Sequence, residues 1–179
     1  MYSTGLRVVI VNGRPGVGKT VFESLCRNIL GDAYCEQRST VDKVKEIAKS
    51  AGWKGAKDLK DRKLLSDLKD LFTEYNDMPF EDVIRSLNRW EEELQFYGVG
   101  GHPHVFFIDD REPEHIERLK KALNATTLLI RRPGDEEAET SNHADAQVFE
   151  YEYDWVINND GTLNDLQASA NSFLNWIFS

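Results

Sequence analysis

Gly13-Arg-Pro-Gly-Val-Gly18-Lys19-Thr20 constrains this chain more than any other segment. It fits G-x-x-x-x-G-K-[ST] without a mismatch, and its flanks agree with it. Upstream, Leu6 to Val11 is a continuous, β-branched run, the pattern of a strand buried on both faces of a parallel sheet. Downstream, an amphipathic helix is expected from about Gly18 to Leu30, stopped by Gly31. In such a unit the glycines let the backbone wrap phosphate oxygens, and the helix N-terminus adds its positive end. Gly13, Gly16, Val17, Gly18, Lys19, Thr20 and Val21 are the residues expected to hold a phosphate donor. Lys19 reaches the β and γ phosphates, and the Thr20 hydroxyl serves Mg²⁺.

The remaining elements follow from periodicity. Ala33 to Glu36 reads as a short strand. Val41, Val44, Ile47, Ala48 and Ala51 fall on one helical face. Leu59, Leu64, Leu65, Leu68, Leu71, Phe72 and Tyr75 form the stripe of a second helix, and Val83 to Tyr97 a third after Pro79. His104 to Asp109 and Thr126 to Ile130 are strands, with a helix over Pro113 to Leu123 between them. Phe149, Tyr151, Tyr153 and Trp155 alternate with acids and predict a strand running into Ile157. Thr162 and Asp165 form a capping box for a last helix to about Phe178. Strands alternating with helices predict an α/β three-layer sandwich around a five-stranded, mostly parallel sheet. The expected organisation is one domain over 1–179, with a helical insert at 38–100 and a lid-like loop at 132–147.

Val105-Phe-Phe-Ile-Asp109 matches the Walker B pattern, four apolar residues ending in a carboxylate near the metal. Asp110 is the rival for that role. The GTPase Asn-Lys-x-Asp pattern and the Leu-Ser-Gly-Gly signature of transport ATPases are absent. A long insert before Asp109 and a polar loop after Thr126 suit a kinase, which needs an acceptor pocket and a way to exclude water. It also needs cations around the travelling phosphoryl group. Arg62, Arg111 and either Arg131 or Arg132 are the candidates. Arg111 and Arg132 follow strand C-termini, where open α/β sheets bind ligands.

Lys plus Arg is 22 against 31 for Asp plus Glu, a net charge of −9. That balance argues against a broad nucleic-acid or anionic-membrane face, but a local cationic pocket remains compatible with it. Cys26 and Cys35 read as reduced thiols rather than a disulfide framework. No run approaches a membrane span, and the short Val8 to Val11 stretch is no signal peptide, so a cytoplasmic protein is expected. His102, His104, His115 and His143 read as surface or structural residues, and Trp53 as a packing residue that could instead face an acceptor base.

Three further segments resemble the phage-type deoxynucleoside monophosphate kinases, within the nucleoside and nucleotide kinase group. Phe107-Ile-Asp-Asp-Arg-Glu-Pro-Glu114 is similar to that family's Asp-x-Arg-x-Pro strand end. Leu128-Leu-Ile-Arg-Arg-Pro-Gly134 resembles its strand ending in Arg-Pro, and Asp154 to Leu163 its Asp-x-x-Ile-x-Asn-Asp-Gly-Thr-Leu segment. Arg62-Lys-Leu-Leu-Ser looks like the family's Arg-x-Leu-Leu-x helix. The likeness covers about residues 6–31 and 104–170. Where the family carries His-x-Ser-Glu, this chain has Asn142-His143-Ala144-Asp145.

The resemblance implies a nucleotide-kinase-like P-loop fold, ATP and Mg²⁺, and transfer of the γ-phosphate to a nucleoside monophosphate. Lys19 would hold the donor phosphates, Thr20 the metal, and Asp109 its outer shell. Arg111 and Arg62 would grip the acceptor phosphate, with Arg132 closing from the lid. Two other readings stay open: a P-loop kinase of another small molecule, and a non-catalytic nucleotide-binding protein. The expected partners are small nucleotides, with no nucleic acid and no membrane. The oligomeric state is not readable.

Overall fold

Two apolar runs lie side by side at the centre of the protein, in strands β1 (Gly5–Asn12) and β3 (Pro103–Asp109). The computed structural model describes residues 5–56, 58–134 and 147–179. Helix α1 (Lys19–Leu30) follows the glycine loop, and a 3₁₀ turn (Asp32–Tyr34) leads into β2 (Cys35–Ser39). Helices α2 (Asp42–Ser50), α3 (Leu59–Asn76) and α4 (Met78–Phe96) come next, before β3. After β3 come α5 (Pro113–Leu123), β4 (Thr126–Arg131), β5 (Trp155–Asn158) and α6 (Leu163–Ile177). The strands form one five-stranded sheet in the order β2-β3-β1-β4-β5, with every pairing parallel. This is the α/β sandwich expected from the alternation of strand and helix signals.

The continuous apolar runs divide their side chains between two layers. Val9, Val11, Val105, Phe107, Leu128, Ile130 and Ile157 face α1 and α6. Val8, Ile10, Phe106 and Ile108 face Val83 and Leu87 of α4 and Ile116 and Leu119 of α5. Strands covered on both sides have no polar face, which is why β1 shows no period-2 alternation. Each large apolar side chain so buried contributes about 1.5–3 kcal/mol. Phe22 and Phe173 meet edge to face at 5.7 Å and join α1 to α6. The Thr162–Asp165 capping box is formed.

Three local expectations are corrected. The second strand is Cys35–Ser39, not residues 33–36, because β2 is an edge strand paired only with β3. An edge strand tolerates polar side chains such as Gln37 and Arg38, so it carries no apolar run. The first residues of the 38–100 segment therefore belong to the sheet. The second correction concerns the aromatic alternation at 149–155, which is a strand only from Trp155. Tyr151 and Tyr153 pack against the α4–α5 layer instead, with their rings 5.1 Å apart. Their hydroxyls donate to Glu117 Oε2 at 2.8 Å and to the Val148 carbonyl at 2.7 Å. Third, the leucine stripe of α3 is largely outside: Leu59, Leu71 and Tyr75 are 69%, 57% and 79% exposed. The helix's one buried residue is Lys69.

Most of the 132–147 segment, with His143, lies outside the described residues. No described helix is long and apolar enough to cross a membrane.

Asp154 shows how β5 is placed. Its carboxylate accepts from the Thr127 amide at 2.8 Å, the Thr127 hydroxyl at 2.9 Å and Lys120 Nζ at 2.7 Å. Burial alone would raise its pKa, but these partners hold it below the ordinary carboxylate value. The unfolded chain thus binds the proton more readily, so this stabilisation is present above the ordinary Asp pKa and is lost as pH falls through the folded one. Asp154→Ala is expected to cost about 1–3 kcal/mol at neutral pH and to flatten the acid limb of stability, measured by urea unfolding from pH 3 to 7. An unchanged acid limb would show that the contact does not stabilise the fold.

Candidate active site

The glycine loop runs from the end of β1 to the start of α1, and two asparagines hold it. Asn12 Oδ1 accepts from the Gly13 amide at 2.7 Å. Its Nδ2 donates to the Tyr153 hydroxyl at 2.6 Å and to the Arg111 carbonyl at 3.2 Å. Asn159 Nδ2 donates to the Val17 carbonyl at 2.7 Å. Gly13 and Gly18 have φ of +144° and +106°, a region L side chains avoid. A Cβ on Gly18 would meet Asn159 Nδ2 at 2.5 Å, and one on Gly13 would meet the Ile130 carbonyl oxygen at 2.2 Å. Asn159 belongs to the Asp154–Leu163 segment that carries the family resemblance, and Asn12 is the last residue of β1. Asn159 reaches the loop from 142 residues further along the chain, and the Arg111 and Tyr153 partners of Asn12 lie 99 and 141 residues from it, so these contacts carry no local signal.

Lys19 opens α1, and its Nζ donates to the Gly13 carbonyl and, at 3.2 Å, to the Arg14 carbonyl. Gly16, Gly18, Lys19, Thr20 and Val21 line one wall of a cleft of about 850 Å³. Val17 is buried and is not among the residues lining this cleft. The cleft is also lined by Arg62, Ser66 and Lys69 of α3, by Asp109 at the end of β3, and by Asp110, Arg111 and Glu112 in the turn that follows. Arg38 and Lys45 complete the rim, each beside an acid, Glu36 at 2.8 Å and Asp42 at 3.0 Å. Five cations thus share this cleft with Lys19 in a chain of net charge −9.

Arg132 is exposed beyond β4 and is not among the residues lining the cleft. β3 and β4 flank β1 on opposite sides, so Arg111 and Arg132 leave the sheet on opposite sides of the loop. Trp53 lines the cleft rather than a core; its indole N–H donates to Asp61 Oδ2 at 2.8 Å.

The two candidate carboxylates after β3 face different ways. Asp109 Oδ2 accepts from Gln37 Nε2 at 2.8 Å, while its buried Oδ1 has no hydrogen-bond partner among the described residues. With the Thr20 hydroxyl in the same cleft, this orphaned oxygen makes a hard donor set that fits a divalent cation. Asp110 is engaged through its Oδ1, while its buried Oδ2 has no hydrogen-bond partner among the described residues. Its Oδ1 accepts from the amides of Arg111 and Glu112 at 2.7 and 3.2 Å and from Lys69 Nζ at 3.2 Å. Burial opposes ionisation of Asp110, but Lys69, His115 and those amides hold its pKa below the ordinary value. His115 Nδ1 is 3.2 Å from Glu112 Oε2, so this histidine belongs to a carboxylate cluster that the sequence reading missed. The signal was there as Asp110-x-Glu112-x-x-His115.

Glu23 was also missed. It is buried one turn along α1 from Thr20, and neither carboxylate oxygen has a hydrogen-bond partner among the described residues. Burial first, and then the charge of Asp109, push its pKa up to about 8. Here the folded chain holds the proton more tightly, so stability declines as pH rises from the ordinary Glu pKa to about 8. Glu23→Gln should match the wild-type stability near pH 4.5 and exceed it at pH 8.5 by about 1–3 kcal/mol. Thermal melts across that range check it; parallel pH curves for the two proteins would refute the burial argument.

Cys26 and Cys35 are free and buried, and burial raises both thiol pKa values, that of Cys35 to about 12. They are packing residues.

No protein-family model matches the chain, and no curated protein matches it. Among solved structures it is similar to thymidylate kinase from Ehrlichia chaffeensis, at 12% identity over 95% of this chain and 99% of that one, with a TM-score of 0.48. A sugar kinase from a Janibacter species is similar at 16% identity, 94% of each chain and a TM-score of 0.46. Shikimate kinase from Bacteroides thetaiotaomicron matches at 13% identity over 96% of this chain and 97% of that one, with a TM-score of 0.43. The fold is an α/β fold around a five-stranded parallel sheet whose central strand ends in the phosphate-loop motif.

Proposed function

We propose that this chain transfers the γ-phosphoryl group of ATP to a nucleoside monophosphate, and by its family resemblance to a deoxynucleotide. The observation that supports this reading is the single cleft joining Lys19 and Thr20 to Arg62 and Arg111. A donor triphosphate on the loop and an acceptor phosphate between the two arginines would share one cleft, as in-line transfer requires.

In this reading an acceptor phosphate oxygen attacks the γ-phosphorus, a new P–O bond forms, and the bond to the β-phosphate oxygen breaks to release ADP. Lys19 balances charge on the β and γ phosphates, while Arg62 and Arg111 neutralise the acceptor and hold it in line. No side-chain nucleophile is needed. Thr20 and Asp109 would hold Mg²⁺, which supplies charge neutralisation on the donor phosphates. Trp53 offers an aromatic face to the acceptor base.

Among the described residues Trp53 is the one aromatic side chain lining the cleft, which also suits a smaller phosphorylatable acceptor. A panel of acceptors with ATP and Mg²⁺ decides between them. ADP formed only with nucleoside monophosphates supports the proposal. ADP formed only with another acceptor transfers the reading to that class, and ATP binding without turnover overturns catalysis altogether.

A further inference from the structure

Helix α3 buries a lysine while exposing leucines, which is the reverse of ordinary packing. Desolvating an ammonium is costly unless it is paired and hydrogen-bonded. Lys69 meets that condition from the turn after β3: Nζ donates to Glu112 Oε1 at 2.7 Å and to Asp110 Oδ1 at 3.2 Å. Both carboxylates are themselves sheltered, with side-chain exposures of 0% for Asp110 and 15% for Glu112. A leucine at position 69 would pack with less electrostatic cost but could not specify which turn it packs against.

The same Asp110 oxygen that receives Lys69 also receives the amides of Arg111 and Glu112. It therefore caps the turn that carries Arg111. That turn is also tied to the central strand: Asp110 donates its amide to the Val11 carbonyl at 3.3 Å, and Asn12 Nδ2 donates to the Arg111 carbonyl at 3.2 Å. Arg62 lies seven residues before Lys69, two turns along the same face of α3, and both line the cleft.

We propose that Lys69 is a positioning residue that locks α3 to the Asp110–Glu112 turn and so sets the spacing of Arg62 and Arg111 across the cleft. Through this contact the insert and the sheet present their arginines to one acceptor phosphate at a defined separation. Lys69 acts through Asp110 and Glu112, with its ammonium committed to them rather than to the acceptor. The inference rests on the kinase reading for its consequence, but the contact can be tested without turnover.

The kinetic test uses the full chain, the four common deoxynucleoside monophosphates, and a cycle of Lys69→Met, Arg111→Ala and their combination. Lys69→Met is expected to raise the acceptor KM at least tenfold while the ATP KM stays within about twofold. In the Arg111→Ala background the same substitution should change the acceptor KM less than threefold, because the residue being positioned is gone. Additive effects would overturn the proposal and mean that Lys69 touches the acceptor itself. Should Lys69→Met fail to fold, Glu112→Gln removes the nearer partner and should raise the acceptor KM about threefold; no change overturns the proposal.

The ligand-free test is hydrogen exchange. The Arg111 and Glu112 amides should exchange at least tenfold faster in Lys69→Met, with the β1 amides unchanged. Equal rates at 111 and 112 overturn the proposal. A wild-type protein inactive on all four acceptors defeats the kinase reading alone, and the exchange result still decides what Lys69 does.

Discussion

Lys19→Ala is expected to fold with near wild-type stability and to lose at least a hundredfold in turnover. Lys19 sits at the first position of α1, only partly buried, and its Nζ contacts are to carbonyls of its own loop, Gly13 and Arg14. These hydrogen bonds stay within the loop, and losing them costs the fold about 1 kcal/mol; the ammonium also favours the charged forms of Glu23 and Asp109, which burial already holds toward the neutral form. In the transfer reading the same ammonium offsets charge developing between the β and γ phosphates. Removing one such preorganised donor typically costs about 10²–10³ in kcat. Thermal melts and steady-state kinetics with ATP varied separate the two effects. A folded Lys19→Ala protein with normal turnover would show that the loop is not the catalytic phosphate site.

Gly13→Ala should do the opposite and act on the fold first. The new Cβ would stand 2.2 Å from the Ile130 carbonyl oxygen and 3.3 Å from its carbon. Those are backbone atoms of β4, a central strand paired with both β1 and β5, and they cannot step aside as a side chain could. The backbone at Gly13, with φ at +144°, is also closed to an L residue without strain. A loss of about 3 kcal/mol or more is expected, read as a lower urea midpoint, with ATP affinity falling as the loop shifts. Gly16→Ala is the control, since its Cβ would meet nothing within 4 Å and only the strain of φ +84° remains. Equal stability for the two variants would show that the β4 contact does not constrain the loop.

Strand, loop and helix at residues 5–30 are legible in the sequence because the interactions that form them are local. A β-branched run, three glycines and an amphipathic stretch each carry their own signal within a few residues. The parallel α/β sheet follows for the same reason, since continuous apolar runs alternate with helical periodicity. The aromatic run at 149–155 misleads because its spacing mimics a strand, whereas Tyr151 and Tyr153 are ordered by Glu117, Asn12 and Val148. The stripe in α3 misleads in a complementary way. Its leucines keep a helical period, but Leu59, Leu64 and Leu71 stay exposed and none is fully buried, because the buried contact of this helix is ionic.

The sequence by itself determined the fold class and the phosphate-loop motif, both encoded in short-range pattern and residue chemistry. It also placed Arg111 and Arg132 just beyond strand C-termini and Arg62 in a helix of the insert. Only the tertiary structure decided that Arg62 and Arg111 line one cleft, that Arg132 leaves the sheet on the far side of β1, and that Asp110 belongs to Lys69. Only it revealed the buried Glu23 beside Asp109 and the two asparagines that hold the loop. The physical reason is that hydrogen bonds, ion pairs and desolvation act over a few ångströms of space. A parallel sheet brings together strands that are dozens of residues apart in sequence, so these partnerships exist only after its crossovers are made.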